Sequence, residues 1–354
     1  MNAPRRSPRA PPRKGHVAVG GLVRIGPLMA IPEVMRELGC DPEALLRDTG
    51  FEPALFDDPD ARVPYASADR LIARCAEATG CEYFGLLVGQ RASPSSLGVA
   101  GFMLSAAPDV RTALHDLVAH LDLHDDGGVP FVRASGGVSL LGYAIHEPDV
   151  TAAGQIYDLS IAVACNILRS LCGGDWRPSE VQLSRQAPRD PAPWKRFFQA
   201  PLRFDAAQSA VAFPVHWLDH RLSGADSLLH RHLEAEAAAL HAQREVNLVG
   251  AVRGLLRGLL AVRKTTASDV ARQLGIHPRT LNRRLHDEGT TFHDELDGVR
   301  YAAARQYLAE STMSLAAIAT ALEYADASAF SRAFKRWSGR TPAQWRAAHT
   351  VRPD

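Results

Sequence analysis

Cysteine is scarce in this chain of 354 residues, and what there is does not pair by pattern. Cys40, Cys75, Cys81, Cys165 and Cys172 are odd in number, and none stands in a CxxC spacing. Set among apolar helical runs, they exclude a disulfide framework and read as reduced core thiols in the cytoplasm. No apolar run approaches the ~20 residues that a membrane-spanning helix requires. The first twenty residues are rich in Arg and Pro without an apolar segment, so they do not read as a secretory signal. A disordered basic tail over 1–21 is the expectation there. Also missing are GxSxG, HExxH, a P-loop and a dinucleotide fingerprint, so no enzyme, no catalytic residue and no cofactor is expected.

Charge is present, but unevenly. Residues 1–24 hold six Lys/Arg and no acid, residues 25–245 hold eighteen against twenty-nine Asp/Glu, and residues 246–354 hold sixteen against ten. The overall +1 thus hides an acidic body and a basic C-terminal third, and only the latter suits a polyanion.

That basic third carries one local grammar twice. Ala267–Leu274 reads as a short helix, Gly275-Ile-His277 as a turn, and Pro278–Leu285 as a second helix whose Pro occupies the first position, where no amide is needed. Leu281 and Leu285 face inward, while Arg279, Asn282 and Arg283 share the opposite face. These are the side chain types that form bidentate bonds to guanine and adenine edges. Farther on, Ser314–Leu322 is a helix burying Leu315, Ile318, Ala319 and Leu322, and Asp326 caps the next one. Phe330, Phe334 and Trp337 recur at helical steps on one face, with Ser328, Ser331, Arg332 and Lys335 away from it. Between the units, Thr291–Leu308 reads as one helix about 27 Å long. Recognition helices ~34 Å apart enter successive major grooves of one duplex.

The run Ala329-Phe-Ser-Arg-Ala-Phe-Lys-Arg-Trp-Ser-Gly-Arg-Thr-Pro342, followed by Trp345-Arg346, resembles the signature of the AraC/XylS family of bacterial transcription regulators. Val270-Ala, Leu274-Gly, Arg279–Leu285 and Glu288-Gly-Thr-Thr-Phe292 match it as well, so the resemblance covers about 247–348. It implies a DNA-binding regulator with double-stranded promoter DNA and RNA polymerase as partners, located with the nucleoid in the cytoplasm. Carried over by position, it assigns base reading to Arg279, Asn282 and Arg283, and to Ala327, Ser328, Ser331 and Arg332; Thr280 and Lys335 are further candidates for DNA contact. Among these Lys335 suits a phosphate, since Lys acts as a point charge. Two positions depart from the pattern: Glu323 replaces the usual turn Gly, and Ala325 the usual Ser. Because Gly permits positive φ, a strained or shifted second turn is expected.

Upstream, the chain reads as α+β. A broken helix is expected over 22–38, then a helix opened by Asp41-Pro42-Glu43, then helices near 67–79, 82–90, 98–105 and 108–121. The last has Leu114, Val118 and Leu121 on one face. Gly127-Gly128 and Gly136-Gly137 precede two strands of a hairpin, 129–134 and 138–145. A long helix over 151–171, strands at 181–183 and 210–213, and a short helix at 194–198 follow. This helical opening disfavours the small barrel of the arabinose regulator itself. With Asp60-Ala-Arg-Val-Pro64, Leu97-Gly98 and Phe198-Gln-Ala-Pro-Leu-Arg-Phe204, it resembles the ligand-sensing, arabinose-binding-type domain of another branch of the family. The expected organisation is an effector-binding and dimerisation domain at 22–217, a linker helix region at 218–245, and an all-α DNA-binding domain at 246–350 with helix-turn-helix units at 267–286 and 314–337.

Four further readings bear on these residues. His120 and His124 lie one helical turn apart near Asp122, Asp125 and Asp126, but spacing fixes no further ligand, so a metal is not expected. Phe131, Arg133, Tyr143 and His146 lie on or beside the hairpin as candidate walls of an effector site, against ordinary sheet packing. The N-terminal body could instead only dimerise without a ligand. A DNA-repair alkyltransferase joined to such a domain would need a Pro-Cys-His-Arg motif, which is absent.

Overall fold

The computed structural model describes residues 21–145, 147, 150–243, 248–262, 265–274 and 276–349. All but the last residue of the expected basic tail, and His146, lie outside them.

Strand β1 (Leu22–Arg24) pairs antiparallel with β2 (Arg62–Pro64). The sequence suggests helix over 22–38, but β2 offers β1 a ladder and Pro27 removes a donor. Helix therefore starts later, at α1 (Ile31–Glu37). Helix α2 (Pro42–Thr49) has the expected cap, with Asp41 accepting from the Glu43 amide at 3.0 Å and Gly50 closing it at φ 80°. Helices α3 (Tyr65–Thr79), α4 (Phe84–Arg91), α5 (Val99–Ala106) and α6 (Val110–His120) follow. The buried stripe of α6 is Val110, Ala113, Leu114 and Leu117; Val118, placed there from its spacing, is exposed.

The hairpin forms as read: β3 (Gly128–Ser135) and β4 (Val138–Ile145) turn through Gly136-Gly137, both at positive φ, as a two-residue hairpin loop demands. After α7 (Ala153–Cys172) come β5 (Glu180–Gln182), α8 (Ala192–Phe198), β6 (Leu202–Arg203) and β7 (Ser209–Pro214). Their sheet runs β3-β4-β7-β5-β6, antiparallel except for β5 with β6. Five consecutive buried residues in β7 mark it as a strand covered on both faces. Helix α7 packs against β4 and β7, with α3 and α4 behind it. The N-terminus of α7 is held by buried Asp69, which accepts from the Thr151 and Ala152 amides at 2.9 and 2.8 Å and from the Thr151 hydroxyl at 2.8 Å.

Helix α9 (Ser227–Gln243) docks on α5 through Leu233, Ala237, Met103 and Ala106. The C-terminal part is all helical: α10 (Leu248–Val262), α11 (Ala267–Gln273), α12 (Pro278–Asp287), α13 (Phe292–Glu310), α14 (Leu315–Ala321), α15 (Ala327–Ser338) and α16 (Pro342–His349). Its own core gathers Leu256, Leu281, Leu285, Ile318, Phe330 and Phe334. Helix α10 also lies against β3 and β4, and α13 meets α7, so the two parts touch.

Candidate functional site

Two regions have chemistry that neither core consumes. The first is the pair of exposed helix faces in the C-terminal part. Thr266 caps α11, and His277 caps α12 by accepting from the Arg279 amide at 3.2 Å. Burial of Leu281 and Leu285 fixes the rotation of α12, which leaves Arg279, Asn282 and Arg283 exposed and Thr280 half-buried. In the second unit Asp326 accepts from the Ala329 amide at 2.7 Å, starting α15. Phe330 and Phe334 are fully buried, each contributing about 1.5–3 kcal/mol. Ser328, Arg332 and Lys335 are exposed as a result, and Ala327 and Ser331 half-exposed. The Ser331 hydroxyl donates to the Ala327 carbonyl at 2.7 Å, so its proton is already engaged.

Charge partners sort the cations further. Arg336 pairs with Asp297 at 2.8 Å, and Trp337 Nε1 donates to the same carboxylate at 3.2 Å, which ties α15 to α13. Arg253 pairs with Glu295 at 2.5 Å. Arg279, Arg283, Arg332 and Lys335 have no ion pair among the described residues. Helix α13, nineteen residues and therefore about 28 Å long, stands between the two units. The turn that lacks Gly forms nonetheless: Glu323 sits at φ 59°. Its carboxylate meets Arg300 at 3.4 Å, and that guanidinium lies 5.0 Å from the Tyr324 ring centre. These contacts offset the ~1–2 kcal/mol that a side chain costs in this backbone region.

The second region is a cavity of about 100 Å³ inside the N-terminal part, between β1, α3, β4 and α7. A single buried water needs only ~10–15 Å³. Leu28, Ile72, Leu117, Leu141, Ile156 and Val163 supply much of its wall. Polar groups gather around the loop that precedes β3. Tyr143 donates to Asp125, Tyr65 and Tyr143 hydroxyls lie 3.3 Å apart, and the Gly127 amide donates to Asp125 at 2.7 Å. Burial pushes the Asp125 carboxyl up to about 7, against the opposing pull of these hydrogen bonds. Burial, with Arg24 and Arg62 nearby, pushes the neighbouring His124 down to about 3, so it is neutral. Arg24, also in the wall, is held by Asp60, and Gly98 at φ 66° leaves room for its guanidinium. A side chain at Gly98 would collide with it.

Of the hairpin residues expected to form an effector wall, Tyr143 borders this cavity. Phe131 and Arg133 do not, because strand alternation turns them to the other face of the sheet. There Phe131 covers Gly142, and Arg133 donates to Gln208 at 2.7 Å. His146 falls outside the described residues. Sequence reasoning missed Arg24 and Tyr65, and met His124 and Asp125 only as metal candidates. His120 lies instead 3.2 Å from His241, away from His124, and no cluster of three or more candidate ligands occurs among the described residues. Burial pushes the thiols of Cys75 and Cys172 up to about 12 and that of Cys165 to about 11, far from nucleophilic thiolates. No described helix is long and apolar enough to cross a membrane.

Residues 39–222 match the arabinose-binding domain found at the N-terminus of AraC transcription regulators, and residues 270–348 match a helix-turn-helix domain. The chain is 31% identical over 336 residues to the HTH-type transcriptional regulator VirS of Mycobacterium tuberculosis, covering 93% of this chain and 97% of that one. It is 27% identical over 342 residues to the ornithine utilization regulator of Pseudomonas aeruginosa, covering 92% and 97%. Among solved structures, the transcriptional regulator CdpR from Pseudomonas aeruginosa aligns over 91% of this chain and 98% of its own, with 23% identity and a TM-score of 0.45.

Proposed function

Because the chain belongs to the AraC family of helix-turn-helix transcription regulators, we propose that it reads a specific promoter sequence through α12 and α15 under the control of a small molecule held in the N-terminal cavity. Arg279, Asn282 and Arg283 read base edges in one major groove, with Thr280 beside them. Ser328, Ser331 and Arg332 read the next groove, with Ala327 offering an apolar contact. Lys335 holds a phosphate. Contact with RNA polymerase and pairing of protomers belong to the same reading, as does a place in the cytoplasm with the chromosome.

One observation carries this reading. Among the described residues, Arg279 and Arg283 on α12 and Arg332 and Lys335 on α15 are exposed without an ion pair, whereas Arg253, Arg300 and, on α15 itself, Arg336 are paired with carboxylates. Exposed cations without partners retain their full attraction for phosphates and guanines. Control by a ligand follows from the contacts between the parts. Helix α7 contributes Ile156, Leu159 and Val163 to the cavity, and its Tyr157 hydroxyl accepts from Gln306 Nε2 on α13 at 2.8 Å. A molecule that fits one position of α7 better than another biases α13 with it.

The test is selection of genomic fragments by the purified full chain, followed by titration of the best fragment and of random DNA at physiological salt. We expect the selected fragment to bind at least ~10³-fold more tightly. Equal affinity for both would refute the reading.

A further inference from the structure

The N-terminal domain has an arabinose-binding name among its relatives, but its cavity has the wrong chemistry for a sugar. We propose that it accepts a lipophilic small molecule with one uncharged oxygen function, an alcohol or phenol, seated with its apolar body against α3, α7 and β4 and its oxygen on His124. The inference rests on the effector-cavity reading above and names the class of ligand.

Two features of the wall carry it. The first is the shortage of open polar partners. Asp69 already accepts from three donors at the start of α7, Asp125 from Tyr143 and Gly127, and Arg24 is committed to Asp60 and to the Pro59 carbonyl at 3.3 Å. A sugar's ring of hydroxyls would lose water with few groups to replace it, at ~1–3 kcal/mol for each hydroxyl left unpaired. A carboxylate or an ammonium group would enter without a free counter-charge, and an unpaired buried ion costs several kcal/mol. Apolar surface loses nothing by the exchange, since Leu28, Ile72, Leu117, Leu141, Ile156 and Val163 already form the wall.

The second feature is a polar atom without a partner. His124 is among the residues lining the cavity, and its buried Nδ1 has no hydrogen-bond partner among the described residues. A neutral imidazole nitrogen left dry is costly, and a ligand hydroxyl satisfies it in either tautomer. Tyr65 and Tyr143, 3.3 Å apart, add hydroxyl oxygens able to join the same network.

The experiment uses the full-length protein and follows thermal unfolding and titration calorimetry with named probes. These are 1-octanol and 4-butylphenol, with butylbenzene, octanoate, octylammonium and L-arabinose as contrasts. The alcohol and the phenol should raise Tm by about 5–10 °C at roughly 100 times their Kd. The phenol should bind about tenfold more tightly than butylbenzene, the worth of one good hydrogen bond. His124→Leu should erase that preference while butylbenzene still binds. Ala164→Phe, which fills the cavity from α7, should abolish binding of both; if that variant does not fold, the His124→Leu comparison decides alone. Stabilisation by L-arabinose, octanoate or octylammonium in place of the two uncharged probes would overturn the proposal, as would silence from every probe. Promoter affinity measured alongside separates the two ideas. Probe binding without any change in DNA affinity supports the ligand class and removes effector control, whereas L-arabinose binding that alters DNA affinity does the opposite.

Discussion

His124 and Asp125 are neighbours in the chain, and burial displaces their proton affinities in opposite directions. For His124 the folded value, about 3, lies below the unfolded 6.5, so its contribution is present above pH 6.5 and is lost as pH falls toward 3. For Asp125 the folded value, about 7, lies above the unfolded 3.8, so its contribution is present below pH 3.8 and is lost as pH rises toward 7. Between pH 4 and 6.5 the two slopes, each about 1.4 kcal/mol per pH unit, cancel. His124→Gln should therefore expose the Asp125 slope, with stability rising as pH falls from about 7 to 4. Asp125→Asn should expose the opposite slope. Urea unfolding followed across this range would show both, and parallel curves for the two variants would contradict the assignment.

A buried stripe fixes the rotation of each helix, and its other face follows. Phe334→Ala should destabilise the C-terminal part by about 3–5 kcal/mol in chemical denaturation, because Phe334 is fully buried among Phe330, Tyr301 and Trp345. On the outer face of α12, Arg283→Ala should cost about 1–3 kcal/mol at the selected promoter fragment and relax the base preference at one position. Lys335→Ala should weaken all sequences evenly and lower the salt slope by about one. Competition binding at several salt concentrations distinguishes the two; an even loss for Arg283→Ala would place that residue on phosphate. At the turn that lacks glycine, Glu323 takes the left-handed backbone, φ 59°, and Arg300 lies between its carboxylate and the Tyr324 ring.

Polar contacts join the two parts across the molecule. Gln306 donates to Tyr157, and the Thr312 amide donates to Asp205 at 3.1 Å. Each is worth about 0.5–1.5 kcal/mol. Tyr157→Phe and Asp205→Ala should each lower the thermal transition of the C-terminal part while that of the N-terminal part barely moves, as scanning calorimetry would record. Their coupling should be close to additive, since the two contacts share no partner. If the double variant leaves the C-terminal transition in place, α13 is not braced by the N-terminal part.

Much of this could be read from the residues. Pro278, Asp326 and the spacing of Leu281, Leu285, Phe330 and Phe334 determine two helix-turn-helix units and which faces stay exposed, because caps and 3.6-residue stripes are local properties. The hairpin was legible for the same reason, its glycines marking the turn. What only the tertiary structure decided is pairing at a distance. Strand β1 exists because β2, some forty residues later, offers it a ladder, and no local pattern records that. The cavity is made of side chains from β1, α3, β4, α7 and the 121–125 segment, each ordinary in its own stretch. Strand alternation puts Phe131 and Tyr143 on different faces of the hairpin, but which of them meets the cavity is decided by the side of the sheet that α7 covers. His124 and Asp125 have unusual proton affinities only because folding removes water from them, a consequence of burial that residue identity alone does not contain.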